Sequence, residues 1–452
     1  MRDLLRRFTL ERALQLLIVL TIVTSVLAAG AVLGLLDLAR KARWAALLAL
    51  AALAVLYALG RWQRRRLGPS FALAAALLAL AFVSTAWSAH PGLTFARASS
   101  LAILFVACAA LAIGAAGRLA SVRRAIDAVV AGTAVVALGG LLVLLFASDR
   151  AVQPASAQEA ARYQGLGGGP NTAAMVLAVG LPLAAHLLVE SRSARARLLA
   201  LGLGALLLGS IVASGSRGAL LAAFAGLAAY AVLGAHGART RLLGLTAVGV
   251  LLAASILVAR LPQPDPAAPA RLGTVLPSSD PAPGYLDAND VLRQQEDVGR
   301  PAGGGIPEDT ERTVLGLSGR RQAWEGALRL GVERPALGYA FGTENKVFVD
   351  RYLEHGSNLP ENSYIGLFLQ LGAGGVALFL LLVGALLTTA VRSLRRAGAR
   401  SRRVTAACAG GLVAGLALSL TQSFIYAAGS NATAAVWLCA FLIPASARVD
   451  AG

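Results

Sequence analysis

The residues whose types could carry chemistry lie in three short polar runs between long apolar stretches. Arg217 stands in the run SGSRG, Arg320 and Arg321 in SGRRQAW, and Glu361 in LPENSY. Arginine guanidinium groups bind phosphate oxygens through charge-assisted, often paired hydrogen bonds. A carboxylate can accept a proton from an attacking hydroxyl. The three runs therefore favour a site that binds an anionic group beside a proton acceptor.

Two interpretations of Arg217 follow from its neighbours. Gly215 and Gly218 leave backbone N–H groups open, and the start of the following helix adds a field that favours an anion. These features favour phosphate binding over the alternative, an arginine whose charged end only reaches out of the membrane. Arg320 and Arg321 begin an amphipathic helix, so they are either a phosphate-binding pair or part of its solvated face.

Glu361 and His355 are the two candidates for the proton acceptor. Glu361 follows Pro360, which predicts a place in the first turn of a helix. The helix dipole stabilises a charged carboxylate there, which weakens it as a base unless burial opposes the effect. His355 titrates near neutral pH, although a single loop histidine is often only exposed. His186 stands inside an apolar stretch and is predicted to be packed rather than catalytic.

A glycine-rich run, GLGGGPN at residues 165–171, precedes another apolar stretch. Its glycines and Pro170 predict a turn, and Asn171 is expected to cap the following helix. The sequence contains no HExxH, paired CxxC or DxD run, so no metal site is predicted. It also contains no phosphate-binding loop or dinucleotide fingerprint. We therefore exclude ATP-driven transport by this chain alone and predict no cofactor.

Composition places the chain in a membrane. Of its 452 residues, 57% are hydrophobic and only 14% are charged. Apolar runs of about 18 residues or more recur, and each is long enough to cross the hydrocarbon core of a bilayer. The formal net charge of +18 sits in short basic clusters between these runs, so membrane topology explains it without nucleic acid. We expect an all-α integral membrane protein, since alternating barrel strands are absent.

The apolar stretches predict about twelve transmembrane helices. They cover approximately residues 13–36, 43–60, 69–88, 97–117, 125–147, 172–189, 197–213, 218–235, 242–260, 362–390, 404–425 and 430–447. The chain then divides into residues 1–260 with nine helices, a large loop at 261–361, and residues 362–452 with three. The stretch 13–36 is too long for a cleaved signal peptide, so it is predicted to be retained.

The distribution of arginine predicts the orientation of the chain. Segments predicted to be cytoplasmic carry most of the arginines between helices, in keeping with the positive-inside rule. Both chain termini are therefore predicted to be cytoplasmic and the large loop external. The short external loops hold a smaller basic set: Arg40, Lys41, Arg43, Arg97, Arg150, Arg162 and Arg217.

The large loop has two parts of different character. Its first half is rich in proline, glycine and aspartate and is predicted to be extended or mobile. Residues 318–334 predict an amphipathic helix that Pro335 ends. Its predicted apolar face holds Ala323, Trp324, Ala327, Leu328 and Gly331. Its predicted charged face holds Arg320, Arg321, Glu325 and Arg329.

The order of these runs resembles the bacterial O-antigen ligase family, which shares a membrane domain with the O-antigen polymerases. The matching runs are GGGPNTAAM, SRGALL, SGRRQAW with ERPALGYAFG, and ENSYIGLFLQLGAGG, within approximately residues 160–445. The resemblance implies a glycosyltransferase C-like membrane fold with short helices in one large external (periplasmic) loop. It also implies a place in the bacterial cytoplasmic (inner) membrane.

The resemblance implies a reaction as well. The reaction is a metal-independent, inverting transfer of a glycan from undecaprenyl pyrophosphate to a sugar hydroxyl, as on a lipid A core. Arg217 and Arg320 match the family's arginines that neutralise the pyrophosphate. Glu361 stands where the family usually has histidine, so the base stays open between Glu361 and His355. Supporting residues follow from the family's His-Asn-Ser-Tyr run: Asn362, Ser363 and Tyr364.

Two other functions stay open from the sequence. A polymerase of the same family would join lipid-linked repeat units to each other. Such enzymes often carry two sizeable external loops, whereas the loop at 148–170 is modest. A twelve-helix transporter would show two related halves and ionisable residues at mid-membrane, and the sequence favours neither. The expected partners are the lipid-linked donor, a glycan or glycolipid acceptor, and membrane lipids.

Overall fold

Long α-helices and one small strand pair make up the described part of the chain. This computed structural model describes residues 2–30, 34–61, 68–154, 161–235, 237–259, 320–348 and 359–447. The first helices are α1 Arg2–Leu27, α2 Leu36–Leu59, α3 Pro69–Val83, α4 Pro91–Ala115, α5 Leu119–Phe146 and α6 Ser148–Ala151. The next are α7 Pro170–Glu190, α8 Ala194–Ala213, α9 Arg217–Gly234 and α10 Ala238–Ala259. The last are α11 Arg320–Glu333, α12 Glu344–Val347, α13 Ser363–Arg396, α14 Ala399–Leu418 and α15 Thr433–Ser446.

The strands β1 Val152–Gln153 and β2 Arg162–Tyr163 pair antiparallel, with Gln153 opposite Arg162. Among the described residues, ten helices are long and apolar enough to cross a membrane: α1 to α5, α7 to α10, and α13. The protein is therefore an all-α, multi-pass membrane protein, as the sequence predicts. Of the other two predicted spans, α14 begins with the charged run ARSRR and α15 has only 14 residues. The number of twelve spans and the division into three regions stay predictions.

Small residues let the helices approach closely, as the sequence predicts for a membrane bundle. Gly226 on α9 faces Gly410 on α14. A Cβ on Gly226 would lie 2.7 Å from the carbonyl oxygen of Gly410, and a Cβ on Gly410 would lie 2.9 Å from that of Gly226. The two backbones are therefore in direct contact, and a larger residue at either position would force the helices apart.

Helix boundaries differ from the predicted ones at the start of the chain. The first span was expected at 13–36, but α1 ends at Leu27 and α2 already begins at Leu36. Arg43 therefore lies in the second turn of α2 and not in a loop, and its Nη1 donates to the carbonyl oxygen of Gly429 at 2.7 Å. A run of apolar residues shows how long a span is but not where the chain turns. Here the turn lies near Gly34, whose φ of 69° favours glycine.

Successive long helices alternate in direction, so their ends collect at two ends of the bundle. One, named here the loop end, carries the starts of α7, α9 and α13 together with α11 and α12. The other, named the opposite end, is joined by ion pairs. Glu11 pairs with Arg61 at 3.1 Å and with Arg124, and Glu190 pairs with Arg403 at 2.6 Å. Each partly buried carboxylate thus has a cationic partner, as burial of charge requires.

Helix α13 is broken within its first three turns. Gly372 has φ 60° and ψ −161°, which is not helical, and a Cβ there would clash with the backbone of Ala336. The segment after α11 closes the break. The amide of Tyr339 donates to the carbonyl oxygen of Leu369 at 2.9 Å, and the amide of Ala373 donates to that of Pro335 at 2.8 Å. Backbone groups that the break would leave unpaired are therefore hydrogen-bonded.

Candidate active site

Arg217 lies at the loop end, as the first residue of α9. Ser216 precedes the helix as its N-cap, and Gly215 takes the left-handed conformation with φ 61°. This sharp turn between α8 and α9 brings Arg217 to the start of a helix, where the backbone dipole favours an anion. The position agrees with the local arrangement that the sequence predicts.

Arg162 on β2 lies beside this turn. Its Nε donates to the carbonyl oxygen of Ser214 at 2.9 Å, and its Nη2 donates to the side-chain oxygen of Asn171 at 3.3 Å. The expectation that Asn171 caps α7 is wrong, because α7 begins at Pro170 after Gly169, and the Asn171 side chain accepts from Arg162 instead. Asn171 therefore helps to fix a guanidinium.

A third arginine, Arg320, converges on the same place from α11. The charges of Arg162 and Arg320 both act on Arg217. Of the two alternatives for Arg320, the partial burial of its side chain favours phosphate binding, since its Nε is buried without a hydrogen-bond partner among the described residues. The side chain of Arg321 lies outside the described part of the chain. Three cations gathered from separate elements create a strongly positive region that suits a phosphate group.

Helix α11 is held in place by its apolar side. Ala323 and Ala327 are buried in a small cluster with Phe348 and Leu369. The predicted apolar face is rotated slightly, since Leu328 is 42% exposed and Leu330 packs against the cluster instead. This rotation carries Arg320 inwards.

Glu361 does not lie where the sequence predicts it. The helix α13 begins at Ser363 with Asn362 as its N-cap, so Glu361 precedes the helix and does not occupy its first turn. Its φ of 50° is left-handed, which is uncommon for a residue with a side chain and strains the backbone. The surrounding structure thus holds Glu361 in one conformation. His355, the other candidate base, lies outside the described residues.

The residues after Glu361 fix the start of α13. Asn362 accepts hydrogen bonds from the amides of Tyr364 and Ile365, at 2.9 and 3.2 Å. Ser363 Oγ donates to the carbonyl oxygen of Gln422 at 2.6 Å, and Tyr364 donates to that of Leu416 at 3.0 Å.

The turn that follows α14, residues 419–423, links the arginines to Glu361. Asn362 Nδ2 donates to the carbonyl oxygen of Leu420 at 3.1 Å. On the other side, the start of α9 packs on the same turn, because a Cβ on Gly218 would lie 3.1 Å from the Cβ of Thr421. Arg217 and Glu361 therefore flank one turn of the chain.

A buried carboxylate, Glu344 on α12, is close enough to Glu361 for the charges of the two groups to act on each other. Glu344 is only 3% exposed, and Tyr426 donates a hydrogen bond to its Oε2. Burial, with a smaller contribution from the charge of Glu361, raises the pKa of Glu344 to about 7 against the lowering effects of Tyr426 and Arg97. Gly366 leaves room for the hydrogen-bonded pair of Glu344 and Tyr426, since a Cβ there would lie 2.5 Å from Glu344 Oε2. The site thus contains a second carboxyl group that changes charge near neutral pH.

The raised pKa of Glu344 predicts a pH-dependent stability. The folded protein holds this proton more tightly than the unfolded chain, so the contribution is complete below pH 4.5 and is lost as pH rises through about 7. The contribution of Glu344 to the free energy of unfolding differs by about 3 kcal/mol between pH values below 4.5 and pH values above about 7. We expect the thermal unfolding temperature to fall between about pH 4.5 and 7, and Glu344→Gln to flatten that fall. The matched control is Glu325→Gln on the exposed side of α11. Equal pH dependence in wild type and Glu344→Gln would contradict the assignment.

Four of these residues were not singled out as site residues by the sequence: Arg97, Arg162, Glu344 and Tyr426. Arg97 and Arg162 carried a signal, because they belong to the small basic set of the predicted external loops. Glu344 follows the run GYAFG closely, whereas nothing in the sequence marks Tyr426. His186, predicted to be packed, is buried and lies 3.5 Å from Tyr230 Oη.

The fold and the site define a multi-pass helical membrane protein with a cationic, carboxylate-containing site at one end of its bundle. Residues 202–380 match the family model described as O-antigen ligase. The chain therefore carries the domain of the O-antigen ligase family, which confirms the resemblance found in its sequence. The family indicates a membrane enzyme of ligase or polymerase type and implies lipid-linked glycan substrates. None of the curated proteins compared with the chain matches it.

The matched range covers most of the site: Arg217, Arg320, Glu344 and Glu361. Arg97, Arg162 and Tyr426 lie outside it and reach the site through the fold. The candidate site therefore includes residues from both sides of the matched range.

Proposed function

We propose that this protein transfers a glycan from undecaprenyl pyrophosphate to a sugar hydroxyl of a glycan or glycolipid acceptor. The observation that carries this proposal is the convergence of Arg162, Arg217 and Arg320 on one side of a turn that has Glu361 on the other. Cations suit the pyrophosphate and the carboxylate suits the attacking hydroxyl. The pyrophosphate of the donor and the hydroxyl of the acceptor would then both lie beside the turn 419–423.

The proposed step is an inverting displacement at the anomeric carbon of the donor glycan. The acceptor oxygen attacks from the side opposite the pyrophosphate, and the bond between the anomeric carbon and the pyrophosphate oxygen breaks. The hydroxyl proton passes to a base, and undecaprenyl pyrophosphate leaves with the bonding electrons. Fixed guanidinium groups stabilise the charge that develops on the leaving oxygen, and their pre-arrangement avoids reorganisation during the step.

Glu361 is the proposed base among the described residues. Its left-handed φ and the hydrogen bonds of its neighbours, Asn362 and Ser363, fix the backbone that carries this carboxylate. Glu344 is too buried to touch an acceptor and is linked to Tyr426, so we assign it a positioning role. The charge on Glu344 disfavours a second negative charge beside it, which strengthens a neighbouring carboxylate as a proton acceptor. His355 stays the alternative base.

A transfer assay with the purified protein in lipid nanodiscs tests this function. With a donor glycan on undecaprenyl pyrophosphate and a glycolipid acceptor, we expect glycosylated acceptor and free undecaprenyl pyrophosphate in equal amounts. The reaction should persist in the presence of a chelator. Stepwise growth of the glycan on the lipid carrier, without any added acceptor, would identify a polymerase instead. Absence of both products with a well-folded protein would contradict the proposal.

The proposed function places the loop end on the external face of the bacterial cytoplasmic membrane, with both termini inside. A cysteine at position 279 (Ser279→Cys) should then react with a membrane-impermeant thiol reagent in intact spheroplasts, whereas Arg396→Cys should not. The background is low because Cys108, Cys408 and Cys439 are all buried. The reverse labelling pattern would contradict the orientation and the proposed site of action.

A further inference from the structure

A second cationic region lies at the opposite end of the bundle, far along the helices from the site. It is formed by two segments, residues 235–245 and 391–405, that contain no aspartate or glutamate. Their arginines are Arg239, Arg241, Arg392, Arg395, Arg396, Arg400, Arg402 and Arg403. The positive-inside tendency accounts for their presence but not for how they are arranged.

Three of these arginines line a cavity of about 310 Å³ between α9, α10, α13 and α14. Arg241, Arg395 and Arg402 provide its cationic wall. Its apolar wall is aliphatic and includes Val232, Leu233 and Leu394. A cavity with arginines on one wall and aliphatic side chains on another suits an amphipathic molecule that has an anionic group and an apolar part.

The guanidinium of Arg402 is fixed by two hydrogen bonds and has one further donor without an acceptor among the described residues. Its Nη1 donates to the carbonyl oxygen of Ala235 at 3.3 Å, and its Nη2 donates to that of Leu394, so the guanidinium is fixed between α9 and α13. Its Nε is buried and has no hydrogen-bond partner among the described residues. A buried donor without an acceptor is costly and calls for an explanation. The next residue, Arg403, differs because Glu190 neutralises it.

The apolar side of the cavity continues along α10. Leu242 and Leu243 follow Arg241 directly and are 66% and 62% exposed, which suits contact with acyl chains. The cavity lies where the ends of four helices meet, at the level expected for lipid head groups. Basic pockets of this kind between transmembrane helices bind the head groups of anionic lipids.

We propose that this cavity is a binding site for an anionic phospholipid of the adjacent leaflet. Its phosphate is bound by Arg241, Arg395 and Arg402, and its acyl chains lie along α10. The proposal does not depend on the proposed transfer reaction, because none of its residues belongs to the site at the loop end.

Lipid retention by the purified protein tests the proposal. The full chain is reconstituted in mixed micelles of phosphatidylglycerol and phosphatidylcholine, and bound lipid is measured by native mass spectrometry. The cavity variant is Arg241→Gln with Arg395→Gln, which leaves the structural hydrogen bonds of Arg402 intact. The matched control is Arg392→Gln with Arg396→Gln, which removes the same charge from residues that do not line the cavity. We expect the cavity variant to lose bound phosphatidylglycerol about tenfold or more, and the control to retain it.

Three results would overturn the proposal. Equal losses in the two variants would mean that the region attracts anionic lipid only through its total charge. No loss in the cavity variant would mean that lipid binds elsewhere. Displacement of phosphatidylglycerol by millimolar inorganic phosphate would identify a site for free phosphate. If the double variant does not fold, Arg395→Gln alone against Arg396→Gln makes the same comparison.

Discussion

Replacing Arg217 with alanine is expected to lower the rate of glycan transfer by about 10²–10³-fold, the usual effect of removing one fixed donor from a developing negative charge. The amount of folded protein in the membrane should not change, because the side chain lies at the partly exposed start of α9. Arg320→Ala should have a similar effect, since its charge acts on the same region. Initial rates of transfer in nanodiscs, measured at saturating acceptor, check the prediction.

Two comparisons make this prediction specific. Arg217→Lys should recover only part of the lost rate, because it keeps the charge but loses the paired hydrogen bonds of the guanidinium. Arg150→Ala is the matched control, since Arg150 lies at the same end of the bundle on the exposed helix α6. Arg321→Ala should be less sensitive than Arg320→Ala. Near-normal transfer by Arg217→Ala would mean that Arg217 is only a surface arginine and does not bind the pyrophosphate.

Replacing Glu361 with glutamine should lower the rate by about 10²–10⁴-fold while donor binding survives. Glutamine keeps the shape and one acceptor oxygen but cannot take the proton. Glu361→His should retain some activity, with the acid limb of its pH–rate profile at higher pH. The shift follows because histidine in water loses its proton about two pH units above glutamate. Rates measured across pH 5 to 9, with donor binding measured separately, test both statements.

The other carboxylate and the histidine serve as controls for the base. Glu344→Gln should alter the pH dependence more than the maximal rate, because Glu344 is buried and acts through its neighbours. If His355→Ala is inactive while Glu361→Gln transfers glycan normally, the base is His355. If both variants are fully active, the general-base step itself is wrong, and departure of the pyrophosphate carries the reaction.

The sequence predicted the helices and the principal cations because both are local signals. A run of apolar residues defines a span without reference to the rest of the chain, and Arg217 is marked by its own glycine neighbours. The pair formed by Glu344 and Tyr426 has no such signal, since the partners are 82 positions apart and meet only when α12 packs against the segment between α14 and α15. The place of Glu361 was missed for a related reason: Asn362 is the better cap, so the helix begins after it.

The break at Gly372 divides α13 into two parts. An unbroken helix of 34 residues would be about 51 Å long, well beyond the roughly 30 Å core of a bilayer. Residues 373–396 alone are long enough to cross it, and the break at Gly372 separates them from the shorter helical segment 363–371. The hydrogen bonds of the Tyr339 and Ala373 amides join both sides of the break to the segment that follows α11. Arg320, at the start of α11, and Glu361, just before α13, therefore lie at the N-terminal ends of two helices that are joined to each other by backbone hydrogen bonds, so the spacing of the cation and the carboxylate is fixed by the same contacts that close the break.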